Sequence, residues 1–437
     1  MYPHPRFSRH LLLAGFAITT TLSPLSLNSV AQAAPTTSTT APVTTTTVSP
    51  TTSTTTTTTP GAGVTIVPLP INPGVLGGSA AAISCTAPGY CVTGGVEILK
   101  TAKGRGVLTV ETNGTWGKAQ EVGAALRGGV STIVHVVCPR AGSCVALGQM
   151  LSTTSPNSSE RFSSYFVVQH GSRWAPAQLI PTTGLGAHPS YLLTGMACVA
   201  AGSCVLTGTL LVNPSLRRVF ALTWRNGHWS APHFLSSSAL GASTNLMSLS
   251  ALSCVGSWCE GVGLYTNVSK KMQPYVVTYS GGRWHSMHAL VAYRPTTNVN
   301  LLATISCTGV GSCVAGGESD PMKAGGSTAL VVEENHGRWS APYALDLTGA
   351  NILESISCTT PTSCTGLISH TAGTLAGVAT MSAIHHWSVA PTASVPGWNS
   401  LQGWALSCTS GQCTIAGTGT KKAAGPPLPI VITPGAG

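Results

Sequence analysis

The chain is built from short runs in which apolar side chains alternate or crowd together. Gly106-Val107-Leu108-Thr109-Val110, Ser164-Tyr165-Phe166-Val167-Val168, Val219-Phe220-Ala221-Leu222-Thr223, Tyr275-Val276-Val277-Thr278-Tyr279 and Ala329-Leu330-Val331-Val332 are rich in β-branched and aromatic residues. Runs of this length and composition predict strands. Each is followed by a turn dipeptide: Asn113-Gly114, His170-Gly171, Asn226-Gly227, Gly281-Gly282 or His336-Gly337. Such pairs accept the positive φ of a tight hairpin. A tryptophan then opens another run, at Trp116, Trp174, Trp229, Trp284, Trp339 and Trp387. A large aromatic at one fixed place in a repeat is read as a packing residue.

Two more runs precede each of these hairpins. The first ends on a cysteine, as in Ala82-Ile83-Ser84-Cys85 or Ala303-Thr304-Ile305-Ser306-Cys307. The second starts on a cysteine and ends in glycine, as in Cys144-Val145-Ala146-Leu147-Gly148 or Cys313-Val314-Ala315-Gly316-Gly317. Gly, Pro and Ser between them reverse the chain. Each unit is therefore predicted to hold four antiparallel strands. The first cysteines of successive units lie 50 to 60 positions apart, the period of propeller blades. The last unit ends at Pro434-Gly435-Ala436-Gly437, where its tryptophan strand is due. Val64 to Leu69 lies before the first unit, where a fourth strand would sit. It is predicted to join the last unit and close the ring, leaving no open sheet edge.

The 14 cysteines form seven pairs, one per unit: Cys85-Cys91, Cys138-Cys144, Cys198-Cys204, Cys254-Cys259, Cys307-Cys313, Cys358-Cys364 and Cys408-Cys413. Their compartment decides their chemistry. Arg6, Arg9 and His10, the apolar run Leu11 to Leu22, and Ala31-Gln32-Ala33 are the three parts of a secretory signal peptide over residues 1–33. In an oxidising compartment the pairs are expected as disulfides, one per blade. Zinc would need two pairs, or a pair plus histidine, at shorter spacing. Residues 34–63 are almost wholly Thr, Ser and Pro, too poor in apolar groups to fold, and are read as a disordered linker. Residues 64–437 are the folded body. No later stretch is apolar enough to span a membrane.

The repeated phrase, Ile or Leu, then Ser-Cys, four or five residues, Cys, and a glycine four positions on, resembles repeats of uncharacterised exported proteins of high-GC Gram-positive bacteria. Over residues 64–437 the chain resembles a secreted seven-bladed β-propeller. The resemblance implies a fold and carries no activity, because propellers host hydrolases, lyases, lectins and scaffolds alike.

Catalytic patterns are sparse. Sialidase-type propellers carry an Asp-containing box before the blade tryptophan. Here the Gly-x-Trp ending is present, as in Asn226-Gly227-His228-Trp229, but the aspartate is missing from every unit. The 11 acids are scattered. Glu333 and Glu334 are adjacent, so strand alternation sends them to opposite faces, and Glu318 and Asp320 are read as solvated loop acids. No Gly-x-Ser-x-Gly elbow is present. The histidines before the tryptophans, His170, His228, His336 and His385-His386, are read as turn residues rather than metal ligands. No metal or cofactor is expected.

Charge says more. The net charge is +10 with only 7% charged residues. Basic residues gather between the second and third strands of the units: Lys100, Lys103, Arg105, Arg161, Arg217, Arg218, Lys270, Lys271, Lys323, Lys421 and Lys422. Those connections emerge on one face of a propeller, together with the long loops bearing Tyr191, Tyr293, Trp398 and Trp404. Such a face attracts anionic polymers. The expected function is a monomeric, non-catalytic secreted binding module at or near the cell envelope. Its expected partner is an anionic cell-wall or extracellular polymer, or another protein, held by Lys100, Lys103, Arg105, Arg217, Arg218, Lys270, Lys271, Lys421 and Lys422. The alternatives are a secreted glycosidase or lyase of sialidase-like architecture, and a structural envelope protein without a discrete ligand.

Overall fold

Each cysteine pair sits where the first two strands of its repeat turn back on one another. The computed structural model describes residues 64–434 apart from 102, 127–129, 153–160, 187–188, 214–215, 241–245, 294–298, 322–325, 350, 371–372, 393 and 423–424. The expected leader (1–33), the Thr/Ser/Pro tract (34–63) and Lys323 lie outside those residues. In the third repeat Ser190–Ala200 runs antiparallel to Ser203–Asn213, and Cys198 lies opposite Cys204. Leu216–Arg225 adds a third strand, and His228–Trp229 begins a fourth. The bridged Cα atoms are 4.0 Å apart. The same bridge recurs at Cys85–Cys91, Cys138–Cys144, Cys254–Cys259, Cys307–Cys313, Cys358–Cys364 and Cys408–Cys413. Each closes a small loop and contributes about 2 kcal/mol through chain entropy.

The third strands are buried on both faces, which is why they read as nearly continuous apolar runs. Phe220 and Leu222 pack with Phe166 of the preceding repeat, whereas Val219 and Ala221 pack with Met247 and Leu249 of the following one. The glycines at which the second strands were expected to end lie inside them, and make room for aromatic rings. A Cβ on Gly148 would collide with the Tyr165 ring, and one on Gly263 would come within 2.9 Å of Tyr275.

The expectation of seven separate four-stranded blades needs correction. The described strands form five self-contained sheets of four or five strands, plus one sheet of ten. The fourth and fifth repeats share the ten-stranded sheet, joined by a parallel bridge between Met272 and Val299. The sequence carries no mark of that bridge, because it links residues in two different repeats.

The single tryptophan strand is corrected too. In the third repeat it is two short pieces, His228–Trp229 and His233–Phe234. Trp229 pairs with Trp224 and His233 with Ala221, so the outer strand has one residue more than its partner over this stretch and bulges. Pro232 has no N–H to give the ladder. The Ser230 hydroxyl fills in, accepting from the Thr223 N–H at 3.0 Å, as Ser340 does from Glu333 at 3.1 Å. Among the described residues the sixth repeat instead has a continuous fourth strand, His386–Pro391.

At the chain ends, Thr65–Pro68 lies antiparallel to Leu428–Thr433, with Thr65 opposite Thr433 and Pro68 opposite Ile430. No helix among the described residues is long and apolar enough to cross a membrane.

Candidate functional site

The disulfide ends of neighbouring repeats lie side by side. Ser84, Ser253, Ser306 and Ser357, each preceding a first cysteine, accept a hydrogen bond from the backbone N–H of the next repeat's first cysteine, all at 3.0 Å. The connections between second and third strands therefore gather at the opposite end, where the basic residues were expected to form a face.

The residues placed there are not equivalent. Lys100 and Lys103 are exposed in the turn between Tyr90–Leu99 and Gly104–Thr112. Lys270 and Lys271 sit in a tight turn built on Asn267, whose carbonyl accepts from Lys270 N–H at 2.9 Å and whose Oδ1 accepts from Lys271 N–H at 3.0 Å. Lys270 takes a φ of 60° there, in the left-handed region, and is exposed. Lys421 and Lys422 are exposed just after Gln412–Thr420, with the Lys421 ammonium 5.6 Å from the Trp398 ring. Arg218 lays its guanidinium 3.9 Å over the Phe234 ring, a cation–π contact that holds it across the surface. Arg217 is half-buried, and desolvation lowers its pKa.

Arg105 plays a structural part. It is inside a strand, and its guanidinium meets the buried Glu97 carboxylate at 2.8 Å and Glu121 at 3.0 Å. Glu97 also accepts from the Asn72 backbone N–H at 2.8 Å and its Nδ2 at 3.0 Å. Arg105 thus neutralises a buried acid and pins the chain entering the first repeat. The aromatics divide similarly. Tyr191 is buried, with its hydroxyl accepting from the Ser164 N–H at 3.3 Å, and belongs to the core. Trp404 donates to the Thr418 hydroxyl at 3.1 Å. Trp398 is half-exposed beside Lys421.

The acids are where the sequence reading missed most. Glu97, Glu260, Glu318, Glu333 and Glu334 are all buried. Glu318 is a strand residue within Ser312–Asp320, not a loop acid. Desolvation, followed by the charge of Asp320, pushes it up to about 7; desolvation and the Glu318 charge push Glu354 to about 7 as well. Glu333 and Glu334 do point opposite ways. Glu333 reaches the sixth repeat, accepting from Trp387 Nε1 at 2.9 Å and from the His385 N–H at 3.0 Å. It also accepts from the Tyr343 hydroxyl, whose pKa is raised by burial and by this carboxylate. Glu334 turns back to the fourth repeat and meets Glu260. Desolvation raises both, and for Glu260 the Glu334 charge adds to it.

Two carboxyls this close and this dry disfavour a second negative charge between them. Glu260, Glu334 and Cys313 cluster within 4.8 Å, but Cys313 is bridged to Cys307 and offers no thiolate. Two carboxylates alone are a poor ligand set. The cavity touching Glu333 and Glu334 measures ≈ 20 Å³, room for a water and not for a sugar ring. Among the histidines, His135 is pushed down to about 4 by burial, and His385 holds Glu333 through Nδ1 at 3.2 Å.

No protein-family model matches the chain, and no curated protein matches it in sequence. Solved structures match in fold. An ulvan lyase of polysaccharide lyase family PL25, bound to a glucuronate–rhamnose-3-sulfate chain, is 10% identical, with 83% of this chain and 95% of that chain covered and a TM-score of 0.51. YCF48 from Cyanidioschyzon merolae is 14% identical, with 85% and 98% covered and a TM-score of 0.49. The Hadza microbial sialidase Hz136 is 11% identical, with 76% and 73% covered and a TM-score of 0.46. At such identities the likeness is one of fold alone, an all-β propeller.

Proposed function

We propose that this protein is an exported, non-catalytic propeller that binds an anionic glycopolymer of the cell envelope or its surroundings on the face formed by its second–third strand connections. The observation that carries this reading is the partition of charge. Five of the chain's glutamates are withdrawn into the interior as Glu97, Glu260, Glu318, Glu333 and Glu334, while Lys100, Lys103, Lys270, Lys421 and Lys422 are exposed. Without Arg6 and Arg9 of the leader the exported chain carries a formal charge of +8, the withdrawal of these acids leaves its surface more positive still, and such a field draws polyanions. Export is supported by the leader-like residues 1–33 and by seven disulfides with no free cysteine among the described residues. The envelope setting is supported by the repeat phrase that resembles exported Gram-positive proteins.

Retention on immobilised heparin and lipoteichoic acid tests the reading. The wild type is expected to elute at a salt concentration well above that of a variant carrying Lys270→Ala, Lys271→Ala, Lys421→Ala and Lys422→Ala, since each lost phosphate or sulfate contact reduces the salt dependence. Equal elution of the two proteins would remove this face as the binding surface. Arg105 is left out of the test because its loss would strand Glu97.

A further inference from the structure

The ring carries a cleft of ≈ 510 Å³ at the seam between its last and first repeats, on the disulfide side. It lies at the opposite end from the basic connections. Pro68, Gln412, Thr414 and Thr433 form the side from the last repeat, and Glu111 and Trp116 form the side from the first. Trp116 packs against the cluster of Leu69, Ala80, Ile83 and Val431 and is held firmly, with its remaining surface on the cleft.

The corresponding joints of the fourth-to-fifth and fifth-to-sixth repeats are occupied differently. There the tryptophan meets a glutamate from the preceding repeat. Trp387 donates its indole N–H to Glu333 at 2.9 Å, and Trp339 lies against Glu260. At the seam, both glutamate positions hold threonine. Thr414 follows the second cysteine of its repeat as Glu260 does. Ile432 pairs with Ile415 as Val332 pairs with Ala315, so Thr433 stands in the place of Glu333. Threonine is too short to reach the indole, and the space that a glutamate occupies at those two joints is open at the seam.

We propose that this seam cleft is a binding site for a short neutral saccharide, stacked on Trp116 and hydrogen-bonded through its hydroxyls to Glu111, Gln412, Thr414 and Thr433. The lining has the chemistry of such a ligand. An indole and a proline ring meet the apolar C–H face of a sugar. The carboxylate, amide and hydroxyl groups accept from and donate to sugar hydroxyls. Among the described residues no basic side chain lines the cleft, so a carboxylated or sulfated sugar would face Glu111 without a counter-charge. The volume falls in the usual range for small-ligand sites. Partial burial raises the Glu111 pKa, and a desolvated carboxylate gains most from new hydroxyl donors.

Tryptophan fluorescence titration and calorimetry of the full secreted chain with maltotriose, cellotriose, mannotriose and tri-N-acetylchitotriose test the proposal. At least one is expected to bind saturably. Trigalacturonate, of the same length but charged, is expected to bind at least about tenfold more weakly than the best neutral trisaccharide. Trp116→Ala is expected to abolish binding; because that residue also packs the core, Thr433→Glu is the second variant. It restores the carboxylate found at Glu333, fills the cleft, and should leave the unfolding midpoint near wild type while weakening binding by at least about tenfold. The four-lysine variant should bind the saccharide as the wild type does, so the two sites fail or succeed separately. Absence of binding by all four sugars at about 10 mM, where a Kd near 1 mM would saturate, overturns the proposal. So does binding that survives Thr433→Glu, or trigalacturonate binding as tight as the best neutral sugar.

Discussion

The Ser407 hydroxyl accepts a hydrogen bond from the backbone N–H of Cys85 at 2.9 Å, across 322 residues of chain. It is the same bond that Ser84 makes to Cys138, Ser253 to Cys307, Ser306 to Cys358 and Ser357 to Cys408. The serine of the repeated Ser-Cys phrase is therefore a rivet between neighbouring repeats, and Ser407 closes the series. In the second and third repeats Val137 and Ala197 hold this position, and no side chain there can accept from Cys198 or Cys254.

Ser407→Ala would leave the Cys85 N–H without its partner and is expected to cost about 1–3 kcal/mol. Ala197→Ser would supply the missing acceptor and is expected to gain about 0.5–1.5 kcal/mol. Urea unfolding of the oxidised protein measures both. An unchanged midpoint for Ser407→Ala would mean that strand pairing at the chain ends carries the closure alone.

Gly148→Ala places a methyl group into the Tyr165 ring. Overpacking of this kind is expected to destabilise by about 1–3 kcal/mol, and the double variant Gly148→Ala with Tyr165→Leu should recover part of the loss. A double-mutant cycle on unfolding free energies reads the coupling; additive effects would show that the ring is not the obstacle.

Glu318 and Glu354 are both raised to about 7 from the ordinary carboxylate value of 4.5. A carboxyl whose folded-state pKa is raised binds its proton more tightly in the folded chain. Its contribution is present in full below pH 4.5 and is lost as pH rises through 7. The thermal midpoint is thus expected to fall between pH 5 and pH 8. Glu318→Gln should flatten that slope, and calorimetry at several pH values with both proteins decides it.

Glu333 ties Tyr343 of its own repeat to His385 and Trp387 of the next. Glu333→Ala leaves an indole N–H and a backbone N–H unpartnered beside a cavity and is expected to cost about 3–5 kcal/mol. Glu333→Gln keeps an acceptor and should cost less. Hydrogen exchange at His385, faster in Glu333→Ala than in Glu333→Gln, would localise the effect to this joint.

Much of the local structure was legible along the chain. Tyr275-Val276-Val277-Thr278-Tyr279 became part of the strand Met272–Ser280, and the turn dipeptides Asn113-Gly114, Asn226-Gly227 and His336-Gly337 did take positive φ. The opposed cysteines were legible as well, because a hairpin sets their distance within a few residues. The outer strand was not: the proline in Trp229-Ser230-Ala231-Pro232 was visible, but the bulge depends on how many residues its partner strand spends over the same distance. Nor was the sharing of a sheet by two repeats, which turns on Met272 meeting Val299.

The candidate binding residues divide along the same line. That Lys270 and Lys271 sit in an exposed turn follows from their neighbours. That Arg105 is spent on Glu97, and Arg218 on Phe234, follows from contacts that no spacing announces.

By itself the sequence determined the repeat, its hairpins and its cross-links, because strand alternation, turn conformation and small-loop disulfides are all settled by residues close together in the chain. Tertiary structure decided what each repeat meets. Glu333 and Thr433 share one place in the repeat, yet one carboxylate is sealed against Trp387 while the threonine stands at the edge of an open cleft beside Trp116. The difference is made across the junction between repeats, where a side chain's length against a neighbour far away in sequence settles whether space is filled or left for a ligand.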